Sequence, residues 1–283
     1  CIVKEFSNGS FATEFQEFLN SLNGKIPSGI FVFSLTDAQI LREDGKEPWQ
    51  MITGSKDLGL YKFNKHLPLL AYSGQQGYWD IPIPTQDDID YVKNPQDIPT
   101  IEWSQKIQKA VFRGNPTGCG YTTETNMRLK ISTLNSPLLD AGIIQNKSSS
   151  LKFDPIEGLG ELNQAQIKKV PKLDLINEQI KFKYIVHIDG NVLAYRLLKS
   201  MLLGSLILRV RSPYIHWLDH IMEEGKHFIY VKEDLSDLEQ RIEWCIQNDS
   251  KAKKIAQQGQ RFAQKVLTKD FINKYFLKLL KSL

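Results

Sequence analysis

The chain has 283 residues, of which 41% are hydrophobic and 24% charged, with a formal net charge of +4. That length supports a large core divided between two unequal domains, and the composition is that of a folded globular protein, which excludes disordered and fibrous classes. The positive excess suits an anionic ligand but falls short of the basic surplus of nucleic-acid binders, so no nucleic-acid partner is expected.

Cys1, Cys119 and Cys245 are an odd number without Cys-x-x-Cys spacing. Neither a disulfide framework nor a zinc site is indicated, and a reducing compartment fits. No apolar run approaches the ~20 residues of a transmembrane helix, so a soluble, cytoplasmic protein is expected. The opening Cys1 in place of an initiator Met reads as a trimmed start, which leaves a lost targeting segment open.

Residues 11–22 have a helical pattern, residues 29–35 form an apolar strand ending at Thr36-Asp37, and residues 66–72 form a second strand. Pro82 and Pro84 interrupt the chain ahead of Thr85-Gln86-Asp87-Asp88, which reads as a helix cap and first turn. The crossing between domains is expected near residues 101–109. Beyond it, β-rich runs at 110–112, 138–144, 184–188, 206–210 and 227–231 alternate with stretches able to form helices at 123–134, 192–203 and 214–222. That alternation is the pattern of βαβ units and predicts an α/β fold with a doubly wound parallel sheet. Asp234 is placed to cap a further helix with Asp237 and Glu239 in its first turn and Leu235, Leu238, Ile242 and Ile246 on one face. Helical stretches at 252–267 and 270–283 close the chain, and their lysines read as a solvated face. The domains implied are 1–108, 109–266 and a final helix, 267–283, packing back on the first.

Ligands of parallel α/β sheets bind beyond the carboxyl ends of the strands. Three segments sit there. Phe112-Arg113-Gly114-Asn115-Pro116-Thr117-Gly118 offers glycines for close backbone approach and an arginine able to pair with phosphate, but lacks the lysine of a P-loop. Tyr184 to Asn191, a strand ending in Asp189-Gly190-Asn191, leads into an apolar helix carrying Arg196. A helix starting there would aim free N–H groups and its dipole at an anion. Phe31 to Asp37 places a carboxylate at a strand end, where a general base would sit. Asp88 and Asp90 have the Asp-x-Asp spacing of a cation site, but in a helix first turn. Gly158-x-Gly160 lacks the context of a dinucleotide fingerprint, and His216 with His220 could share a helix face without a third ligand.

In this order and spacing, the segments resemble the CAP10-type glycosyltransferases, family 90. The resemblance runs from about Gly29 to Leu267. It is carried by Lys109-Ala-Val-Phe-Arg-Gly-Asn-Pro-Thr117, Asn126-Met-Arg-Leu129, Leu138-Leu-Asp-Ala-Gly142, Lys183-Tyr-Ile-Val-His-Ile-Asp-Gly-Asn191, Leu203-Gly-Ser205 and the run from His227 to Leu238. It implies a GT-B fold, two Rossmann-like domains facing a central cleft, the first for the acceptor and the base and the second for the donor. It also implies a UDP-sugar donor, a glycan or glycoprotein acceptor, inversion at the anomeric carbon, and no metal or other cofactor. The residue matching the family's base is Asp37, although Ser34-Leu-Thr36 departs from the Asn-x-Arg of animal members. Asp80, beside Trp79 in the sugar pocket, is the alternative. Arg113 and Arg196 are expected at the diphosphate, with Gly114, Asn115, Thr117, Asp140, Ala141, Asp189, Gly190, Asn191 and Ala194 around the donor. The chain lacks the cysteines of animal members and is similar to compact forms from large algal viruses, which favours UDP-xylose over UDP-glucose. Two rival readings are a metal-dependent transferase using Asp88 and Asp90 and a non-catalytic glycan-binding module.

Overall fold

A computed structural model describes residues 10–22, 24–35, 39, 42–43, 69–118, 120, 122–144 and 166–283. In chain order the elements are α1 (Ser10–Ser21), β1 (Val32–Ser34), β2 (Leu69–Ala71), β3 (Gly74–Gln75), β4 (Ile81–Pro82), α2 (Gln86–Lys93), β5 (Ile107–Gly114), α3 (Met127–Thr133), β6 (Leu139–Ile144), β7 (Lys169–Val170), β8 (Phe182–His187), α4 (Leu197–Leu202), β9 (Leu206–Val210), β10 (Tyr214–Ile215), β11 (Ile229–Val231), α5 (Leu238–Gln247), α6 (Asp249–Val266) and α7 (Lys269–Ser282). The class is the α/β one expected from the sequence. Among the described residues, no helix is long and apolar enough to cross a membrane.

The chain divides into two compact units. The first holds Cys1–Pro95, Pro213–His220 and Val266–Leu283, and the second holds Gln96–Ser212 and Ile221–Lys265.

In the first unit, β1, β2 and β4 form a parallel sheet in that order, and β3 pairs with β10 antiparallel. Helix α1 buries Phe15, Phe18, Leu19 and Leu22, a spacing of three and four residues that makes one face. Helix α7 buries Ile272, Phe276 and Leu280 at four-residue spacing. These faces meet in an aromatic cluster: the Phe276 ring lies 5.2 Å from Phe18, 6.1 Å from Phe15 and 6.1 Å from Phe33. Each such pair adds about 0.5–1.5 kcal/mol to what its buried area contributes.

The second unit carries a six-stranded, wholly parallel sheet in the order β11-β9-β8-β5-β6-β7. Strands β8 and β9 are buried along their whole length, so apart from Lys183, His187 and Arg209 they are apolar on both faces. Helix α6 packs through Ala252, Ile255, Ala256 and Ala263. A Cβ on its Gly259 would come 2.5 Å from the carbonyl oxygen of His227, so glycine alone permits that approach.

Four expectations shift. Residues 214–222 form no helix: after β10, the His216 N–H binds the Asp219 carboxylate at 2.7 Å and the Leu218 N–H binds His216 Nδ1 at 3.1 Å, a side-chain-closed turn. His216 and His220 therefore share no helix face. Helix α3 begins only at Met127, where the Asn126 side chain accepts from the N–H groups of Arg128 and Leu129. Asp234 closes a turn onto the Ser236 N–H and caps no helix; α5 begins after Asp237. Helix α4 begins at Leu197, with consequences taken up below.

Thr85 does cap α2, in a reciprocal capping box with Asp88. The Asp88 carboxylate is fully buried; its Oδ2 also accepts from Trp217 Nε1 at 2.8 Å and lies 4.0 Å from His216 Nε2, while its Oδ1 has no hydrogen-bond partner. Burial is the largest influence and pushes its pKa up to about 7, against the hydrogen bonds from Thr85 and Trp217. A carboxyl raised in the folded state favours folding at low pH, and that contribution is lost as pH rises from about 4 through about 7. Asp88→Asn is expected to keep the fold and to flatten this part of the stability-versus-pH curve. Parallel slopes for the two proteins in urea titrations at pH 4 to 7.5 would contradict it.

Candidate functional site

Reading the second sheet from β5 shows where a ligand can enter. The chain builds outward from β5 through β6 to β7, then returns to β8 on the other side of β5 and continues through β9 to β11. Adjacent strands whose connections run to opposite sides leave a crevice at their carboxyl ends, the switch point at which open α/β sheets bind ligands. The register Val111↔Ile185 brings Gly114 level with Ile188, so the segments leaving β5 and β8 lie side by side there.

The structure brings together the donor-site residues expected from the sequence. Arg113, Gly114, Asn115 and Thr117 leave β5, Asp189, Gly190, Asn191 and Ala194 leave β8, and Arg196 stands at the N-cap of α4. Asp140 and Ala141 lie on β6, opposite Val111 and Phe112. Hydrogen bonds hold the two segments in place. The Gly118 N–H donates to Asn191 Oδ1 at 2.9 Å. The Ala194 N–H and the Ser212 hydroxyl donate to the two Asp189 oxygens at 2.8 and 2.5 Å. Arg128 of α3 donates to the carbonyls of Ile188 at 3.0 Å and Asp189 at 3.1 Å and to Thr117 Oγ1 at 2.6 Å.

The arginines are not equivalent. Arg113 is buried and committed to Asp140, giving one nitrogen to its carbonyl and another to its carboxylate, both at 2.8 Å. Arg196 is partly exposed, with its guanidinium 5.9 Å from the centre of the Phe112 ring. Burial, then the charge of Arg196, lower the pKa of Arg128 to about 10 against the pull of Asp189. Arg209, on β9, is buried with its guanidinium 5.5 Å from the Phe228 ring. Burial above all, with Arg209 and Arg196 adding to it, lowers the His187 pKa against the attraction of Asp189, so this imidazole stays neutral. Burial is the largest influence on Asp189 and would raise its pKa, but the adjacent His187 imidazole, the Ser212 hydroxyl and the Ala194 N–H together hold it down to about 2. The balance at these strand ends is cationic, which suits a diphosphate.

One part of the expected anion site is not formed. The Gly190 N–H is used by the Val192 carbonyl at 2.8 Å and that of Ala194 by Asp189, while helix α4 starts only at Leu197. Asp189 closes the segment as a loop before the helix can begin, so Gly190 and Asn191 present no helix start to a ligand. Sequence reading gave Arg128 no role, although Asn126-Met-Arg128 held the signal: an N-capping residue sets the first turn and so aims the arginine two positions later. His187 and Ser212 were also passed over.

In the first unit, Trp79 is 49% exposed between β3 and β4, and Asp80 beside it is buried. Asp37 and Gly158-x-Gly160 lie outside the described residues. Asp88 is enclosed in its capping box, and Asp90 accepts from Gln86 at 2.8 Å, so the two carboxylates share no open cation site. Among the described residues, no group of three or more His, Cys, Asp or Glu is placed to hold a metal ion.

Residues 11–283 match the profile described as Glycosyl transferase family 90, and the chain belongs to that family. It is 33% identical over 266 residues to uncharacterized protein 035R of Invertebrate iridescent virus 3, covering 86% of this chain and 24% of that protein. It is 31% identical over 225 residues to protein O-glucosyltransferase 3 of Homo sapiens, covering 76% of this chain and 41% of that one. The chain thus spans about a quarter of the one relative's length and two fifths of the other's. A crystal structure of a glycosyltransferase from Rickettsia africae ESF-5 aligns with 99% of this chain and 83% of that one, at 11% identity and TM-score 0.48.

Asp189 sets the shape of the loop through its charge, and that yields a test. With its pKa lowered from 3.8 to about 2, the carboxylate contributes stability above about pH 4 that is lost as pH falls through 2. Asp189→Asn is expected to lower stability at pH 7 by about 2 kcal/mol and to remove that share of the acid dependence. A variant with wild-type denaturation midpoints at pH 7 would show that the loop does not depend on the charge.

Proposed function

We propose that the chain is the transferase portion of a metal-independent, inverting glycosyltransferase of GT-B type that moves one sugar from a UDP-sugar to a hydroxyl of a glycan or glycoprotein. The observation that carries this reading is the pairing of Arg128 and Arg196 at the switch point of the parallel sheet, in a chain of family 90. The name of the human relative, protein O-glucosyltransferase 3, supports UDP-glucose ahead of the UDP-xylose expected from the compact viral resemblance.

In the reaction, the acceptor oxygen attacks the anomeric carbon, its proton passes to a carboxylate, and the bond from that carbon to the diphosphate oxygen breaks on the opposite face. Asp37 is the carboxylate the resemblance assigns, with Asp80 the alternative. Negative charge then grows on UDP. Direct stabilisation is assigned to Arg196, which is partly exposed at the N-cap of α4, with the charge of Arg128 adding to it. The exposed Trp79 offers an aromatic face to an acceptor sugar.

Titration calorimetry with UDP in EDTA is expected to give binding by the wild type, and Arg196→Ala is expected to lower kcat by roughly a hundredfold or more. Binding that requires added Mn²⁺ would contradict the metal-free reading, and UDP binding without release of UDP from either donor would point to a non-catalytic module. Asp37→Asn should retain UDP affinity while transfer falls by roughly 10²–10⁴-fold. If transfer instead survives in Asp37→Asn and is lost in Asp80→Asn, the base is Asp80.

A further inference from the structure

We infer that Arg128 is a positioning residue for the donor, a brace that fixes the spacing of the two segments leaving β5 and β8, and this rests on the donor-site reading above. All three of its guanidinium nitrogens are used, and all on those two segments. Nε donates to the carbonyls of Ile188 at 3.3 Å and Asp189 at 3.1 Å, Nη2 to that of Ile188 at 3.0 Å, and Nη1 to Thr117 Oγ1 at 2.6 Å and the Asn115 carbonyl at 3.4 Å. Here the backbone has left the sheet ladder, and its carbonyls need other donors. The planar, forked guanidinium reaches both segments at once, which the single ammonium of a lysine cannot do.

Two further observations fit a brace. Asn126, which caps the helix carrying Arg128, accepts from the Arg128 N–H at 3.0 Å through Oδ1 and donates to the Pro116 carbonyl at 3.2 Å through Nδ2. The same side chain thus sets the helix start and anchors the segment after β5. Across the gap, a Cβ on Gly190 would come 3.0 Å from Thr117 Oγ1 and 3.1 Å from Arg128 Nη2. The segments are drawn so close that even one methyl group must displace the brace.

The two ways of disturbing the brace, changing its shape and crowding its neighbour, leave the local charge intact. Arg128→Lys keeps the charge, and Gly190→Ala removes neither a charge nor a side-chain hydrogen bond. Both are expected to raise the Kd for UDP in EDTA at least tenfold, about 1.4 kcal/mol. In both, the slope of log Kd against log salt concentration should stay at the wild-type value, because no cation is lost, whereas Arg196→Ala should reduce it. Wild-type UDP affinity in Arg128→Lys would overturn the proposal by showing that charge alone suffices. If that variant does not fold, Gly190→Ala decides, and wild-type affinity there would overturn it equally. Unchanged affinity and salt slope in Arg196→Ala would count instead against the donor site itself.

Discussion

The pairing order of the second sheet is the constraint on which everything else depends. Because β8 pairs with β5 rather than with β7, the strand immediately before it in the sequence, two loops distant in sequence emerge side by side at the carboxyl ends of the strands. Each loop alone is an ordinary strand exit. Together they confine Arg113, Thr117, Asp189 and Arg196 to one crevice, and no other pairing of these strands would do so.

Within that crevice the charges are arranged by neutralisation and by exposure. Asp140 occupies Arg113, and Asp189 is spent on the Ala194 N–H, the Ser212 hydroxyl and its neighbour His187. The imidazole of His187, held neutral by burial, adds no charge of its own. Arg128 and Arg196 are like charges near enough that Arg196 helps to lower the Arg128 pKa, so the local balance suits a polyanionic ligand. The polar groups of the crevice are fixed by hydrogen bonds within the chain, the preorganisation that the proposed transfer would need.

Much of this was legible in the sequence. The apolar runs that became β8 and β9 announce themselves because a parallel strand is buried on both faces, and Thr85 announces α2 because the reciprocal Asp88 stands three residues on. Strand exits were therefore found, and with them the residues that the structure brings together at the ends of β5 and β8. The failures share a cause: side chains that capture backbone N–H groups. Asp189 delays the start of α4, Asn126 that of α3, and His216 with Asp219 turns an apparent helix into a closed loop. Such captures depend on where the side chain points, which periodicity does not encode. Arg128 escaped notice for a related reason. Its acceptors are mostly backbone carbonyls from two distant segments, and no spacing in the sequence marks them.

The central claim is that the donor nucleotide sits at this switch point, held by the exits of β5 and β8. Hydrogen exchange with and without saturating UDP, followed by peptide, tests it most directly. The account predicts slower exchange on UDP addition at residues 114–118 and 188–196. Saturation without protection in either segment, or protection confined to other parts of the second unit, would contradict it.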